Sequence, residues 1–420
     1  MYARFPHLVL ITLVACSGPS SDTTAAPPPV APAEDSAVVA EEREPPAEPT
    51  GDGDAVAPTP GAEPATPAKA EVAEVAEALE LTFVGDVIFG RYRGASGFDP
   101  IPDNGHDPFE MVREQIASDL LVGNLETPLV ETLPETSPIG SRFSFGASRE
   151  HAKLLVTAGF GAVSLANNHW YDQREAGVEQ SPKILEDLGI VPLGRARTAD
   201  PLFVVETVER KGWKIGFVAV SARSNSPDER GGVRLPFIDT RDMLDELGPI
   251  VKAARADHDL LAVLVHWGEE YADAPASVQS RAARGLIDAG ADMVIGHHPH
   301  VLQGIERHGN GLIAYSLGNF VFENTNDPPR LTGVLRVRVH RDTRCFEEVR
   351  FHPAYVKRNP IQHPVPADGF MRTRVVQRLE AVSKRFGTRW DPDGDDLTMA
   401  DPPCASAKAP PASAPDPTGA

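Results

Sequence analysis

Short apolar runs of strand length punctuate the chain between about residues 79 and 386, and amphipathic stretches fill the intervals. Leu81-Thr82-Phe83-Val84, Asp119-Leu120-Leu121-Val122, Ala162-Val163-Ser164-Leu165, residues 260–265 and Asp292-Met293-Val294-Ile295 each read as a buried strand. Helical spacing marks residues 149–158, 178–188, 240–256 and 278–289. Within the first two, Leu154, Leu155 and Ala158, then Ile184, Leu185 and Leu188, fall on one side and are expected to face a sheet. Alternation of this kind predicts a layered α/β fold. Residues 203–208 and 213–220, joined around Lys211-Gly212, predict a hairpin. Residues 307–313 and 331–351 predict more, so the sheets should be mixed. No internal repeat stands out.

The ends of the chain break this pattern. Arg4 and His7 precede a short apolar run, residues 8–15, too short to span a bilayer but suited to the core of a signal peptide. Leu13-Val14-Ala15-Cys16 resembles a bacterial lipobox, so residues 1–16 are expected to be a lipoprotein signal with Cys16 as the lipidation site. Ser17 at the next position points, by resemblance to lipoproteins of two-membrane bacteria, to the outer membrane or periplasm. Residues 17–78 are dominated by Pro, Ala, Glu and Thr and cannot bury enough surface to offset their ordering entropy, so a disordered tether is expected. A folded domain over residues 79–386 and a disordered tail over residues 387–420 complete the division. The formal net charge of −20 argues against nucleic acid as partner and leaves the lipid anchor as the membrane contact. Cys345 and Cys404 are the cysteines left to pair, and the position of Cys404 in the tail speaks against a bridge.

All five apolar runs lead at once into polar residues of ligand type. Val84 is followed by Gly85-Asp86, Val122 by Gly123-Asn124-Leu125-Glu126, and Leu165 by Ala166-Asn167-Asn168-His169 with Asp172 beyond. Val265 is followed by His266-Trp267-Gly268-Glu269-Glu270-Tyr271, and Ile295 by Gly296-His297-His298-Pro299-His300. In open α/β sheets the crevice beyond the carboxyl ends of strands is where ligands bind. Asp, Glu, Asn and His converging there have the chemistry of a divalent-metal site. Any one of these pieces alone reads more simply as a turn, a cap or a satisfied core histidine; five together make coincidence a poor account. Pro299 is expected to keep His298 extended.

Taken in order, these motifs, with His298-Pro299-His300-Val301-Leu302-Gln303 and Ser316-Leu317-Gly318-Asn319-Phe320, resemble the CapA family of bacterial capsule-synthesis proteins associated with poly-γ-glutamate. CapA domains in turn resemble calcineurin-like metallophosphatases. That resemblance implies a four-layer α/β/β/α sandwich with mixed sheets around a centre of one or two divalent ions (Mn, Fe or Zn). It assigns Asp86, Glu126, Asn168, His266, His298 and His300 to the metal, with His297 a neighbour. His169 is implied as the proton donor, held by Asp172, and Asn124, Glu270 and Arg91 are candidates for substrate contact. Two departures stand out: Ile88 occupies the place of a histidine in the first phosphatase motif, and Asn124-Leu125-Glu126 replaces an aspartate pattern.

Two functions follow as expectations. One is an exported metal-dependent hydrolase or transferase, phosphoesterase-like, acting on an anionic polymer such as poly-γ-glutamate or on a phosphoester. The other is a non-catalytic lipoprotein that binds the polymer or a membrane synthase complex.

Overall fold

A computed structural model of the protein describes residues 77–403 apart from short breaks at 94–96, 102–104, 142, 228, 324–325 and 359–361. The expected signal peptide with Cys16, nearly all of the expected tether, and residues 404–420 lie outside the described residues. No helix among the described residues is long and apolar enough to cross a membrane.

The chain runs through β1 (Ala78–Val87), β2 (Leu120–Leu125), α1 (Arg149–Ala158), β3 (Phe160–Ser164), α2 (Arg174–Asp187) and β4 (Val191–Leu193). It continues with β5 (Glu206–Arg210), β6 (Trp213–Ser221), α3 (Met243–Ala254), β7 (Leu260–His266), α4 (Ser277–Asp288) and β8 (Met293–His297). The strands β9 (Ile305–His308), β10 (Gly311–Ala314), β11 (Asn319–Val321), β12 (Leu331–His340), β13 (Phe346–Lys357) and β14 (His363–Pro366) follow. Helix α5 (Gly369–Ser383) and the hairpin β15 (Trp390–Asp393) and β16 (Asp396–Met399) close the fold.

Ten strands form one mixed sheet in the order β15-β16-β13-β12-β1-β2-β3-β4, with β11 beside the end of β1 and β14 beside β13. Six form a second, β9-β10-β8-β7-β6-β5. Leu81, Phe83 and Val122 of the first sheet share one apolar cluster with Phe217, Leu264 and Ile295 of the second, so the sheets pack face to face. On its other face the first sheet buries Leu155, Ala158, Ile184 and Leu185 of α1 and α2. The second sheet buries Met243, Leu247, Ala283 and Leu286 of α3 and α4. The result is the α/β/β/α layering that the resemblance implies.

Local chemistry explains several boundaries. Helix α1 stops at Gly159, whose φ of 89° is the left-handed geometry that closes a helix. The β5–β6 turn places Lys211 and Gly212 at φ 48° and 76°, the paired positive values that match hairpin twist. One expectation fails. Residues 387–403 are not tail: β15 and β16 pair through Trp390 with Met399, and Arg350 and Phe351 of β13 pair with Thr398 and Leu397. Trp390, Leu397 and Met399 are buried there, but the strands are four residues long and rich in aspartate, too short to show a clear period. Cys345 is disulfide-bonded, against expectation. The Phe346 N–H donates to the Pro403 carbonyl at 3.1 Å, which draws the end of the described chain beside Cys345; Cys404 itself lies outside the described residues.

Candidate metal centre and cleft

Parallel register gathers the ligand-type residues. Asp86 of β1 is paired with Asn124 of β2 on one side and Asn319 of β11 on the other. In the second sheet His266 is paired with His297. Because neighbouring parallel strands end together, residues that follow apolar runs arrive at one edge of the sandwich. Two glycines admit the backbone of residues 315–318, which links the two sheets. A Cβ on Gly85 would lie 2.0 Å from the Gly318 carbonyl oxygen, and one on Gly296 2.1 Å from that of Tyr315.

Glu126 lies at the centre, fully buried. Its Oε1 is 3.5 Å from His266 Nε2, 3.9 Å from His169 Nε2 and 4.0 Å from His300 Nε2. Neither carboxylate oxygen has a hydrogen-bond partner. Ligand atoms of Glu126, His298 and His300 lie within 4.8 Å of one another, so this group could hold a metal ion. A buried carboxylate without partners is costly, and a cation among oxygen and imidazole donors would relieve that cost. On that ground the residues fit the ion that the resemblance implies.

The other residues lock this group in place. Asn124 donates to Asp86 Oδ1 at 2.9 Å, and His266 Nε2 meets Asn168 Oδ1 at 2.7 Å. His298 Nδ1 is 3.1 Å from His266 Nε2, and its backbone N–H reaches Asp86 Oδ2 at 3.4 Å. His300 Nδ1 contacts Asn319 Oδ1 at 2.9 Å and Asp86 Oδ2 at 3.3 Å. His297 instead turns toward the Val84 carbonyl at 3.2 Å. His298 is not extended: its φ is 96°, and His300 follows at 57°. The reversal at His298 lets one residue aim both its N–H and its ring at the cluster, and such strained backbone gathers at functional sites.

Electrostatics follow from burial and proximity. Burial first, and the Asp86 charge second, push Glu126 up to about 8. Burial opposes charge on His300, but Glu126 and Asp86 outweigh it and hold the ring up to about 9. Burial and then His300 push His298 down to about 3, and burial likewise drives His266 well below the ordinary imidazole range. For Asp86 burial is overcome by the bond to His300, so its carboxyl is lowered. A proton-rich Glu126/His300 pair beside two neutral imidazoles would release protons on binding a cation.

His169 sits at the edge of this group. Its Nδ1 is 2.6 Å from Asp172 Oδ2, which also accepts the Phe145 N–H at 2.7 Å. The Phe145 ring lies 4.1 Å from the imidazole. Burial opposes charge on His169, and Asp172 outweighs it, so the ring keeps its proton above the usual range. Over His169 and His300 opens a cleft of about 700 Å³.

Two expected substrate contacts are placed differently. Asn124 is buried behind Asp86, where it holds Asp86 and touches His266 at 3.3 Å rather than facing the cleft. Arg91 does line the cleft, but its guanidinium is paired with Glu323. Glu270 lines the cleft as expected. Ile88, where phosphatases carry a histidine, is packed in the apolar layer under α1.

Sequence reasoning missed Asn225, whose side chain reaches His169 Nε2 at 3.4 Å, and quoted Tyr271, whose ring lies 6.2 Å from that of His300, without giving it a role. It quoted Asn319 within a motif without a role. Asn225 belongs to a loop and to none of the five runs, so no pattern pointed to it.

Comparison with known proteins supplies the family. The profile of the bacterial capsule synthesis protein family PGA_cap matches residues 80–324, more than half of the chain. The chain belongs to that family. The PGA biosynthesis protein CapA of Bacillus subtilis (strain 168) is 32% identical over 339 residues, covering 77% of this chain and 82% of that protein. The capsule biosynthesis protein CapA of Bacillus anthracis is 31% identical over 254 residues, covering 59% of this chain and 60% of that relative's length. A probable polyglutamine synthesis accessory protein of Mycobacterium tuberculosis is 26% identical over 296 residues, covering 66% and 76%. The matched segment of this capsule-synthesis family member contains every candidate ligand from Asp86 to His300.

Proposed function

We propose that this protein serves capsule or poly-γ-glutamate synthesis at the cell envelope, as an exported, lipid-anchored, metal-dependent hydrolase or transferase acting on the anionic polymer or a phosphoester. The observation that carries this reading is Glu126: a fully buried carboxylate with both oxygens unpartnered, ringed by imidazoles of which His169 and His300 line a large cleft. Family membership supplies the biological setting. Glu126, His298 and His300, with Asp86, Asn168 and His266 beside them, would hold the ion. A bound divalent ion supplies Lewis-acid polarisation of a phosphoryl or acyl oxygen.

The chain's own residues do the rest. His169 keeps its proton through Asp172 and presents Nε2 to the cleft, as a general acid for a leaving group should. Phe145 shields one face of that ring. Asn124 and Asn319 fix the orientations of Asp86 and His300.

The test is metal content of the purified protein, with hydrolysis of a phosphodiester and of poly-γ-glutamate measured with manganese, zinc or iron. Activity that is abolished in Asp86→Ala and His298→Ala is the expected result. Undetectable activity, or activity that survives both substitutions, overturns the catalytic reading.

One observation favours a second reading. Ile88 puts a packed aliphatic side chain where a phosphatase ligand would stand, which suits a protein that keeps the fold and binds polymer or a synthase complex without turnover. In that case folded His300→Ala protein retains cellular function.

A further inference from the structure

The cleft continues beyond the Glu126 group to a second wall that includes Tyr171, Arg174, Ser226 and Arg230. Arg174 begins α2 with φ 52°, a left-handed value that a residue with a side chain seldom adopts. Its Nε donates to the Pro138 carbonyl at 2.6 Å, which fixes the guanidinium at the cleft wall. The Arg230 guanidinium lies 5.8 Å from the centre of the Tyr171 ring. The loop that carries Arg230 is tied to the cluster, since the Asn225 N–H donates to the Asn168 carbonyl at 3.2 Å.

Charge separates these two arginines from the others nearby. Arg91 and Arg93 share Glu323, and Arg223 is paired with Glu269. Among the described residues Arg174 and Arg230 have no carboxylate at ion-pair distance. Glu175 feels both charges, but its carboxylate takes the Tyr171 hydroxyl. An unpaired surface arginine is ordinary. Two on the wall of the cavity that holds His169 and His300, one of them beside the Tyr171 ring, are not. Guanidinium forks match carboxylate and phosphate oxygens. Along the same cleft, Phe143 and Tyr271 are 55% and 59% exposed and offer apolar surface for the chain between two acidic groups.

We propose that Arg174 and Arg230 form a second anion subsite, so that this cleft takes an oligoanion with one acidic group at the His/Glu cluster and another at the arginine wall. This rests on reading the cleft as the substrate site, and it narrows the substrate to an acidic chain rather than a small monoester. A polycarboxylate and a polyphosphate share that chemistry.

The test titrates the full-length protein with a γ-linked glutamate hexamer, a linear hexaphosphate and inorganic phosphate, and repeats this for Arg174→Gln/Arg230→Gln and for Arg230→Gln alone. Arg389→Gln, an exposed arginine at the far edge of the ten-stranded sheet, controls for net charge. The double variant should bind its preferred hexamer about tenfold or more weakly, with a shallower salt dependence. Arg230→Gln should fall between. Metal content and affinity for inorganic phosphate should hold, and the better-bound hexamer identifies the acid.

The proposal is overturned if wild-type protein binds neither hexamer, if the double variant binds as wild type does, or if inorganic phosphate is weakened equally. Arginine-dependent binding without any turnover supports the subsite and overturns the hydrolase reading alone.

Discussion

Two buried glutamates on the second half of the sandwich and its seam have the same chemistry and opposite circumstances. Glu306 of β9 is 4% exposed, and each oxygen has a donor: Arg284 Nε at 2.7 Å and the Tyr315 hydroxyl at 2.7 Å. Tyr315 is sandwiched between Trp267 and Phe386, and Trp267 donates to the Tyr315 carbonyl at 3.1 Å. Glu126 is 0% exposed and has no donor on either oxygen, a state shared by no other buried carboxylate among the described residues. A buried charge whose partners are complete is a strut. One without a donor, with imidazoles at 3.5–4.0 Å, has the surroundings of a group that could hold a cation. The two environments meet at consecutive residues, His266 toward the cleft and Trp267 toward the helices, because successive side chains of a strand point to opposite faces.

That contrast can be broken by exchanging the acids. Glu126→Gln should lower metal affinity by over about 100-fold, beyond what loss of an outer partner costs, while the metal-free melting temperature holds near neutrality, where Glu126 at about 8 is mostly protonated, and rises at higher pH, where the amide replaces a buried charge. Metal analysis and calorimetry read both; full metal occupancy in this variant would remove Glu126 from the centre. Glu306→Gln should do the reverse, losing about 1–3 kcal/mol of stability with unchanged metal content. The partly exposed Arg284 places the effect toward the lower end. Metal loss in that variant would mean that the strut and the centre are one unit.

The smallest effect is on pH dependence of the metal-free protein. His298 at about 3, with His266 and His297 also lowered, has a folded-state value below the ordinary 6.5. Their contribution to stability is complete above pH 6.5 and lost as pH falls, since the unfolded chain takes up protons that the folded chain refuses. His300, at about 9, has the opposite sign: its contribution is complete below pH 6.5 and lost as pH rises to about 9. Glu126, at about 8, weakens the fold progressively from its ordinary 4.5 to about 8 and adds to that alkaline limb. Stability should peak near neutrality, and Glu126→Gln should flatten the alkaline side by about 2–4 °C in Tm.

Much of the fold was legible because strands buried on both faces read as unbroken apolar runs and the helices keep a 3.6-residue period. Helix α1 was bounded correctly, and the five strands were located with only their ends displaced. The start of α2 was placed four residues late, at residue 178, because Arg174, Glu175 and Ala176 are exposed and carry no apolar signal. The β15–β16 hairpin was missed for the same reason. Within the site, Asp86, Glu126, Asn168, His266, His298 and His300 could be collected as residues that follow apolar runs. Asn225 and Arg230 could not, since the loop that carries them leaves no periodic trace, and Arg174 could not, since it stands in the exposed first turn of α2.

By itself, then, the sequence determined that five strands end in ligand-type residues and that the resulting edge has the chemistry of a metal site. The tertiary structure alone decided what each of those residues does. Whether an imidazole joins the group around Glu126 or turns to a backbone carbonyl, as His298 and His297 do, depends on a backbone reversal at φ 96° and on close approach to Asp86, 212 positions away along the chain. Residue type fixes which bonds a side chain can make. Its actual partners depend on register and burial, which belong to strands distant in sequence.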